Sequence, residues 1–310
     1  MIKDKIVNKK YQPSSDIALP SFSAVSKSKP KRDFAKGAEC QRQAQHRHRD
    51  AKKLGQNFLK NTGILKSIVG MAEISADDIV LEVGAGTGLL TEKLAETSAR
   101  IIAVEKDRNL IPILETKFKN QKNVTIIEGD ILRFDLNLTK VEPWKYKVVG
   151  NIPYYLTSHL IRKVLEDWPT PKLILFMLQK EVAQRIVAKP PKMNLLALSV
   201  QLYADAQIMR SVSKKNFWPE PKVDSALIKI LPKDRDAKEK NDIEKILKLA
   251  RLAFSGKRKQ ILNSLSTGLK IPKEKLIGTL QEAGIDSKRR PESLEISEWL
   301  KLNQTLSSQF

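Results

Sequence analysis

From Ile79 onward, short apolar runs alternate with segments of helical spacing. Ile79–Val83 is an apolar run that ends in glycines, and Leu89–Glu96 reads as a helix. Ile101–Val104 is a second strand, ending at Glu105. Leu110–Phe118 is predicted to be helical, with Pro112 tolerated in its first turn. Val124–Ile127 and Tyr146–Val149 are further strands, His159–Leu165 a further helix, and Leu173–Leu178 a fifth strand. A β-α-β-α order predicts a parallel sheet with helices on both faces, an α/β Rossmann-like architecture. Ligands of such sheets bind beyond the carboxyl ends of the strands.

The pattern changes twice. Residues 1–50 are rich in Ser, Lys, Gln and Pro and lack apolar periodicity, so they are expected to be a disordered basic extension. The α/β domain then occupies 51–232. After Pro232 the charged stretch 233–240 reads as a linker. Beyond it Ile243, Ile246, Leu247, Ala250 and Ala253 follow helical spacing. Further helical segments surround Ile261–Leu265, Leu276–Ala283 and Leu294–Leu302, so 241–310 is predicted to be a small all-helical domain.

Charge adds a partner to this picture. The chain carries 56 Lys+Arg against 35 Asp+Glu, a net +21. Such an excess points to a polyanion, and nucleic acid is the usual one. Residues 1–52 hold only +8 of it, so the basic character does not depend on the extension. Lys257, Arg258 and Lys259 form a dense basic cluster of the helical part and are the candidate RNA contacts. Cys40 is the single cysteine, and His46, His48 and His159 are the only histidines. No metal site is expected. The longest apolar run, Leu173–Leu178, is far short of the ~20 residues that span a membrane. The Lys-rich N-terminus has no apolar core of a secretory signal, and a cytoplasmic location is expected.

Candidate chemistry falls at strand ends. Gly84, Gly86 and Gly88 follow the first strand in a G-x-G-x-G loop, where glycine lets the backbone turn tightly and approach a ligand. A dinucleotide site would read G-x-G-x-x-G, so a nicotinamide dehydrogenase is disfavoured. Glu105 could accept hydrogen bonds from both hydroxyls of a ribose. Asp130, with Ile131 beside it, could accept from an adenine amino group. Asn151, Ile152, Pro153 and Tyr154 follow the fourth strand. An amino nitrogen conjugated to an aromatic ring is a poor nucleophile. The Asn151 side-chain oxygen and the Ile152 carbonyl could hold its two N–H groups and favour a more tetrahedral nitrogen. Pro153 stiffens the loop. Tyr154 offers a flat face to a base taken out of its stack. Phe217, in the Pro-rich run Phe217–Ser225, either closes the other side of the base or packs.

Asn151–Tyr154 resembles the Asn/Asp-Pro-Pro-Tyr motif of methyltransferases acting on amino nitrogens. Taken with Leu54–Leu59, the Gly84 loop, Gln179–Ala183, Pro221–Ser225, Ala253–Ser255 and Arg290–Glu292, the chain from Lys52 to Leu300 resembles the KsgA/RsmA family of small-subunit ribosomal RNA adenine dimethyltransferases. The resemblance implies S-adenosylmethionine as cofactor and small-subunit rRNA as substrate. Two adjacent adenosines near its 3′ end would each become N6,N6-dimethyladenosine. It also implies that Asn57 and Leu59 contact the cofactor together with Gly84, Gly86, Glu105, Asp130, Ile131 and Asn151. A monomer is expected. Two departures stand out: the extension through Asp50, and Lys189–Leu196 in place of a segment that usually carries Tyr-Gly. The alternatives are an Erm-type methyltransferase of large-subunit rRNA, and a non-catalytic ribosome assembly or transcription factor on the same fold.

Overall fold

The chain is known from a computed structural model, which describes residues 57–139, 141–256 and 258–309, apart from the side chains of Asn137, Leu138, Tyr154, Ser308 and Gln309. The extension 1–50, residues 54–56 and Lys257 lie outside this range.

The strands are β1 (Phe58–Leu59), β2 (Ile79–Val83), β3 (Arg100–Glu105), β4 (Val124–Glu128), β5 (Tyr146–Asn151), β6 (Leu173–Gln179), β7 (Ala204–Val212), β8 (Phe217–Trp218) and β9 (Ser225–Pro232). Seven of them form one sheet in the order β4-β3-β2-β5-β6-β9-β7, while β1 pairs with β8. β4 to β6 are parallel as the sequence predicts. The far edge is not: β9 runs antiparallel to both β6 and β7. A parallel neighbour needs a crossover of a dozen or more residues, usually helical. Between Val212 and Ser225 the chain offers only a 3-10 turn and the short β8, so the return is antiparallel.

Helices α1 (Thr62–Met71), α2 (Leu89–Ala95), α3 (Ile111–Phe118), α4 (Thr157–Arg162), α5 (Lys180–Ile186) and α6 (Leu195–Tyr203) accompany the sheet. A π-helical turn, Lys163–Asp167, extends α4. β6 shows why the central strands read as unbroken apolar runs. Leu173, Leu175 and Met177 pack with α1 and α2 on one face, while Ile174, Phe176 and Leu178 pack with α4 and α5 on the other. Both faces are covered, so no polar alternation survives.

The C-terminal helices are α7 (Ala237–Ala253), α8 (Ile261–Leu269), α9 (Lys273–Glu282) and α10 (Ile296–Gln309). Helix α7 starts six residues before the first apolar position of its spacing. Asp236 caps it, and Glu239 reaches back to the Asp236 N–H in a capping box, so residues 237–240 of the expected linker are helical. Trp299, Ile246, Leu265, Leu276 and Leu280 centre the core of these helices. Helix α6 belongs to both cores. Val200 packs toward the sheet, and Ala197, Leu198, Leu202 and Tyr203 pack with α7 to α10.

The amino ends of β2, β5 and β6 carry a buried ion cluster. Asp78 pairs with Lys147 at 2.8 Å and Lys172 at 3.1 Å, and accepts from the Ser75 N–H and hydroxyl at 2.8 Å. Burial alone would raise the Asp78 carboxyl. The bonds from Lys147, Ser75 and Lys172 outweigh it and hold the group well below the usual carboxylate range. Among the described residues no helix is long and apolar enough to cross a membrane.

Candidate active site

The carboxyl ends of β2, β3, β4 and β5 open into a cavity of about 370 Å³. That volume falls within the ~300–1,000 Å³ of small-molecule and cofactor sites. Gly84, Gly86, Glu105, Asp130, Ile131, Asn151, Ile152, Pro153, Phe217 and Asn57 line it, so most of the residues picked from sequence come together. Gly84, Gly86 and Gly88 all have positive φ. At Gly86 a Cβ would also stand 3.1 Å from the Phe58 ring, a tight contact added to the strain of its φ.

Glu105 is 4% exposed and anchors the loops around it. Its Oε2 accepts from Gly86 N at 2.8 Å, and Oε1 from Lys106 N at 2.9 Å and Asp107 N at 2.8 Å. A carboxylate has about four acceptor directions. The protein occupies three of them, leaving about one for a ligand donor rather than the pair expected from sequence. Asp130 accepts from Leu132 N at 3.0 Å and pairs with Lys106 at 2.8 Å. The Lys106 bond holds its carboxyl below the usual value.

β5 ends at Asn151, beside Met177 of β6. Gly150 makes this ending possible: a Cβ there would stand 2.7 Å from the Val83 carbonyl oxygen. The Asn151 amide nitrogen donates to the Asn57 carbonyl at 2.8 Å. A carbonyl can only accept, so this contact fixes which end of the amide is which and turns Oδ1 to other donors. Ile152 N donates to Met177 O at 2.9 Å, anchoring the backbone at the residue before Pro153. Tyr154 opens a 3-10 turn, Tyr154–Leu156, closed by Leu156 N donating to Pro153 O at 2.9 Å.

The structure refines the sequence reading at three places. The Leu59 side chain is in the core with Ile64, Leu65 and Phe217, and its neighbour Phe58 lines the cavity instead. Alternation along β1 puts the two on opposite sides, a signal too short to read in a two-residue strand. Phe217 does both things weighed for it, lining the cavity while 97% buried in the core. Lys106, Asp107, Arg108, Asn109 and Tyr155 also line the site. The first four follow the Glu105 strand end directly, which is the signal that could have found them. Arg258 and Lys259 are exposed in the α7–α8 loop, outside the cavity.

Behind the glycine loop lies a further acid. Glu82 is 1% exposed, with the Thr91 hydroxyl and N–H its nearest donors. Burial pushes the Glu82 carboxyl up to about 8.

Similarity to known proteins agrees with this geometry. Residues 47–307 match the family model of ribosomal RNA adenine dimethylase. A protein of Dehalococcoides mccartyi named ribosomal RNA small subunit methyltransferase A is 41% identical over 81% of this chain and 86% of its own length. One of the same name from Clostridium acetobutylicum is 40% identical over 83% of this chain and 94% of its own. Among solved structures, a dimethyladenosine transferase from Plasmodium falciparum superposes with a TM-score of 0.68 at 29% identity, covering 81% of this chain and 98% of that one. The 23S rRNA methyltransferase ErmE superposes with a TM-score of 0.66 at 27% identity, covering 81% and 100%. The α/β sheet with its strand-end cavity and helical C-terminal part is thus the fold of Rossmann-like methyltransferases, and the chain belongs to the ribosomal RNA adenine dimethylase family.

Proposed function

We propose that the chain dimethylates N6 of two adjacent adenosines near the 3′ end of small-subunit rRNA, using S-adenosylmethionine. The observation that carries the chemistry is the Asn57–Asn151 bond, which occupies the amide nitrogen of this cavity-lining residue and leaves its oxygen as an acceptor. The small-subunit assignment rests on the names of the relatives about 40% identical. The large-subunit alternative draws on a more distant likeness, at 27% identity.

The cavity suits this cofactor. Glu105 offers a ribose hydroxyl its remaining acceptor direction, Asp130 offers an adenine amino group another, and the glycine loop admits close approach of the ligand. Leu59, with its side chain in the core, would contribute through its backbone. The cofactor, when bound, supplies an electrophilic methyl group. The chain's own part is to make the amino nitrogen a better nucleophile. Asn151 Oδ1 and the Ile152 carbonyl accept its two N–H groups and so bias it away from planarity. Tyr154 supplies a stacking face and Phe217 closes the opposite edge of the base. The methylated nitrogen is cationic and can lose a proton to water, so no side-chain base is required. The Arg258–Lys259 loop adjoins exposed Lys288 and Arg290 through the Ile261 N to Arg289 O bond, and this group would hold RNA phosphates. We assign the chain a soluble, monomeric existence in the cytoplasm.

The test is to incubate the purified protein and labelled cofactor with unmethylated small subunits and, in parallel, with large subunits, then map the product nucleotides. Dimethylation of two neighbouring adenosines is expected. Label appearing only in large-subunit RNA would move the assignment to the Erm type.

A further inference from the structure

Tyr155 is 64% exposed, more than any other large apolar or aromatic side chain among the described residues, yet it lines the mouth of the cavity. Nothing about its backbone is loose. Ile152 before it is 2% exposed, Leu156 and Thr157 after it are 8% and 2%, and the 3-10 turn is closed by Leu156 N on Pro153 O. The fold anchors the backbone beneath an exposed aromatic ring, beside the loop that would take the base.

A base presented to Asn151 must leave its stack, and its neighbour in the strand then loses one stacked face. An exposed aromatic ring beside the opening is the kind of surface on which nucleic-acid proteins stack such bases. Where two adjacent adenosines are both targets, the neighbour of each is the other. We propose that Tyr155 stacks on the adenine next to the one in the cavity, and so stabilises the extruded arrangement. This rests on the reading given under Proposed function. The ring does the work, not the hydroxyl. The contact forms only once the target has left the stack, so it raises the methylation rate at saturation more than the affinity for the subunit, which comes mainly from phosphates.

The experiment is single-turnover methylation of unmethylated small subunits by the full chain and by Tyr155→Phe, Tyr155→Leu and Tyr155→Ala. A second set of subunits carries uridine in place of one of the two adenosines. Tyr155→Phe should stay within about twofold of the parent. Leu and Ala should each lose about tenfold in saturated rate, within the ~1–3 kcal/mol of a base–aromatic stack. All variants should keep the parent's dissociation constant for S-adenosylmethionine, measured calorimetrically. Uridine next to the target should slow the parent but leave Tyr155→Ala unchanged, because the stack is already absent. A merely structural role would not produce that coupling. Parent-like rates for Leu or Ala, or equal sensitivity of parent and Tyr155→Ala to uridine, would overturn the proposal. So would cofactor affinity falling in step with the rate, which would place the ring in the cofactor site. A parent silent on small subunits but active on large-subunit RNA would instead overturn the functional reading on which this one rests.

Discussion

Three side chains at or behind the site each predict something different. Asn151 is tied to Asn57 through its amide nitrogen, so Asn151→Ala should lower turnover far more than RNA affinity. Single-turnover rates beside filter-binding constants would check this, and full activity in the variant would contradict the placement. Glu105→Ala removes a charged acceptor worth ~1.5–3 kcal/mol per bond, and also releases the Gly86, Lys106 and Asp107 N–H groups. Calorimetric titration should show weakened binding of S-adenosylmethionine. Glu82 bears on pH. Its carboxyl is pushed up to about 8 from an ordinary 4.5, so the folded chain holds this proton more tightly than the unfolded chain. The protonated form therefore favours folding below pH ~4.5, and that advantage is lost as pH rises toward 8. Glu82→Gln should raise the thermal midpoint more at pH 8 than at pH 5, and an equal shift at both would refute the burial argument.

At the level of elements, the sheet ends explain what could be read in advance. The glycine loop, Glu105, Asp130 and Asn151 were legible because each closes an apolar run. The β9–β7 edge was not, because β7 alternates buried and exposed positions without a clean apolar stripe. The start of α7 was hidden for another reason: its first turns are polar, and only the Asp236–Glu239 capping pair marks them. Phe58 and Leu59 could not be sorted, since two residues hold no period. The amino ends of the strands yield a stability test. Asp78→Ala would leave Lys147 buried without its carboxylate, at a cost of ~3–5 kcal/mol. In the parent, Asp78 is held below its unfolded value, so its contribution is present above about pH 4 and is lost as pH falls further. Urea unfolding of parent and variant should converge in strong acid. At the opposite end, Gly150→Ala would drive a methyl group into the Val83 carbonyl and destabilise by ~1–3 kcal/mol, measured in the same way.

For the molecule as a whole, charge and shared packing matter most. Replacing Arg258, Lys259 and Lys288 together should weaken subunit binding and flatten its dependence on salt, since fewer counterions are released. Equal slopes in parent and variant would remove that loop from the interface. Helix α6 has a different consequence. Leu195–Tyr203 turns Val200 to the sheet and Leu198 and Leu202 to the C-terminal helices, so one helix serves two cores. A protein engineer who transplanted the C-terminal helices onto another scaffold by cutting at Pro232 would leave half of their floor behind. The donor would keep a bare apolar stripe and the graft would lack one, while a cut made before Leu195 would tear β9 away from β6.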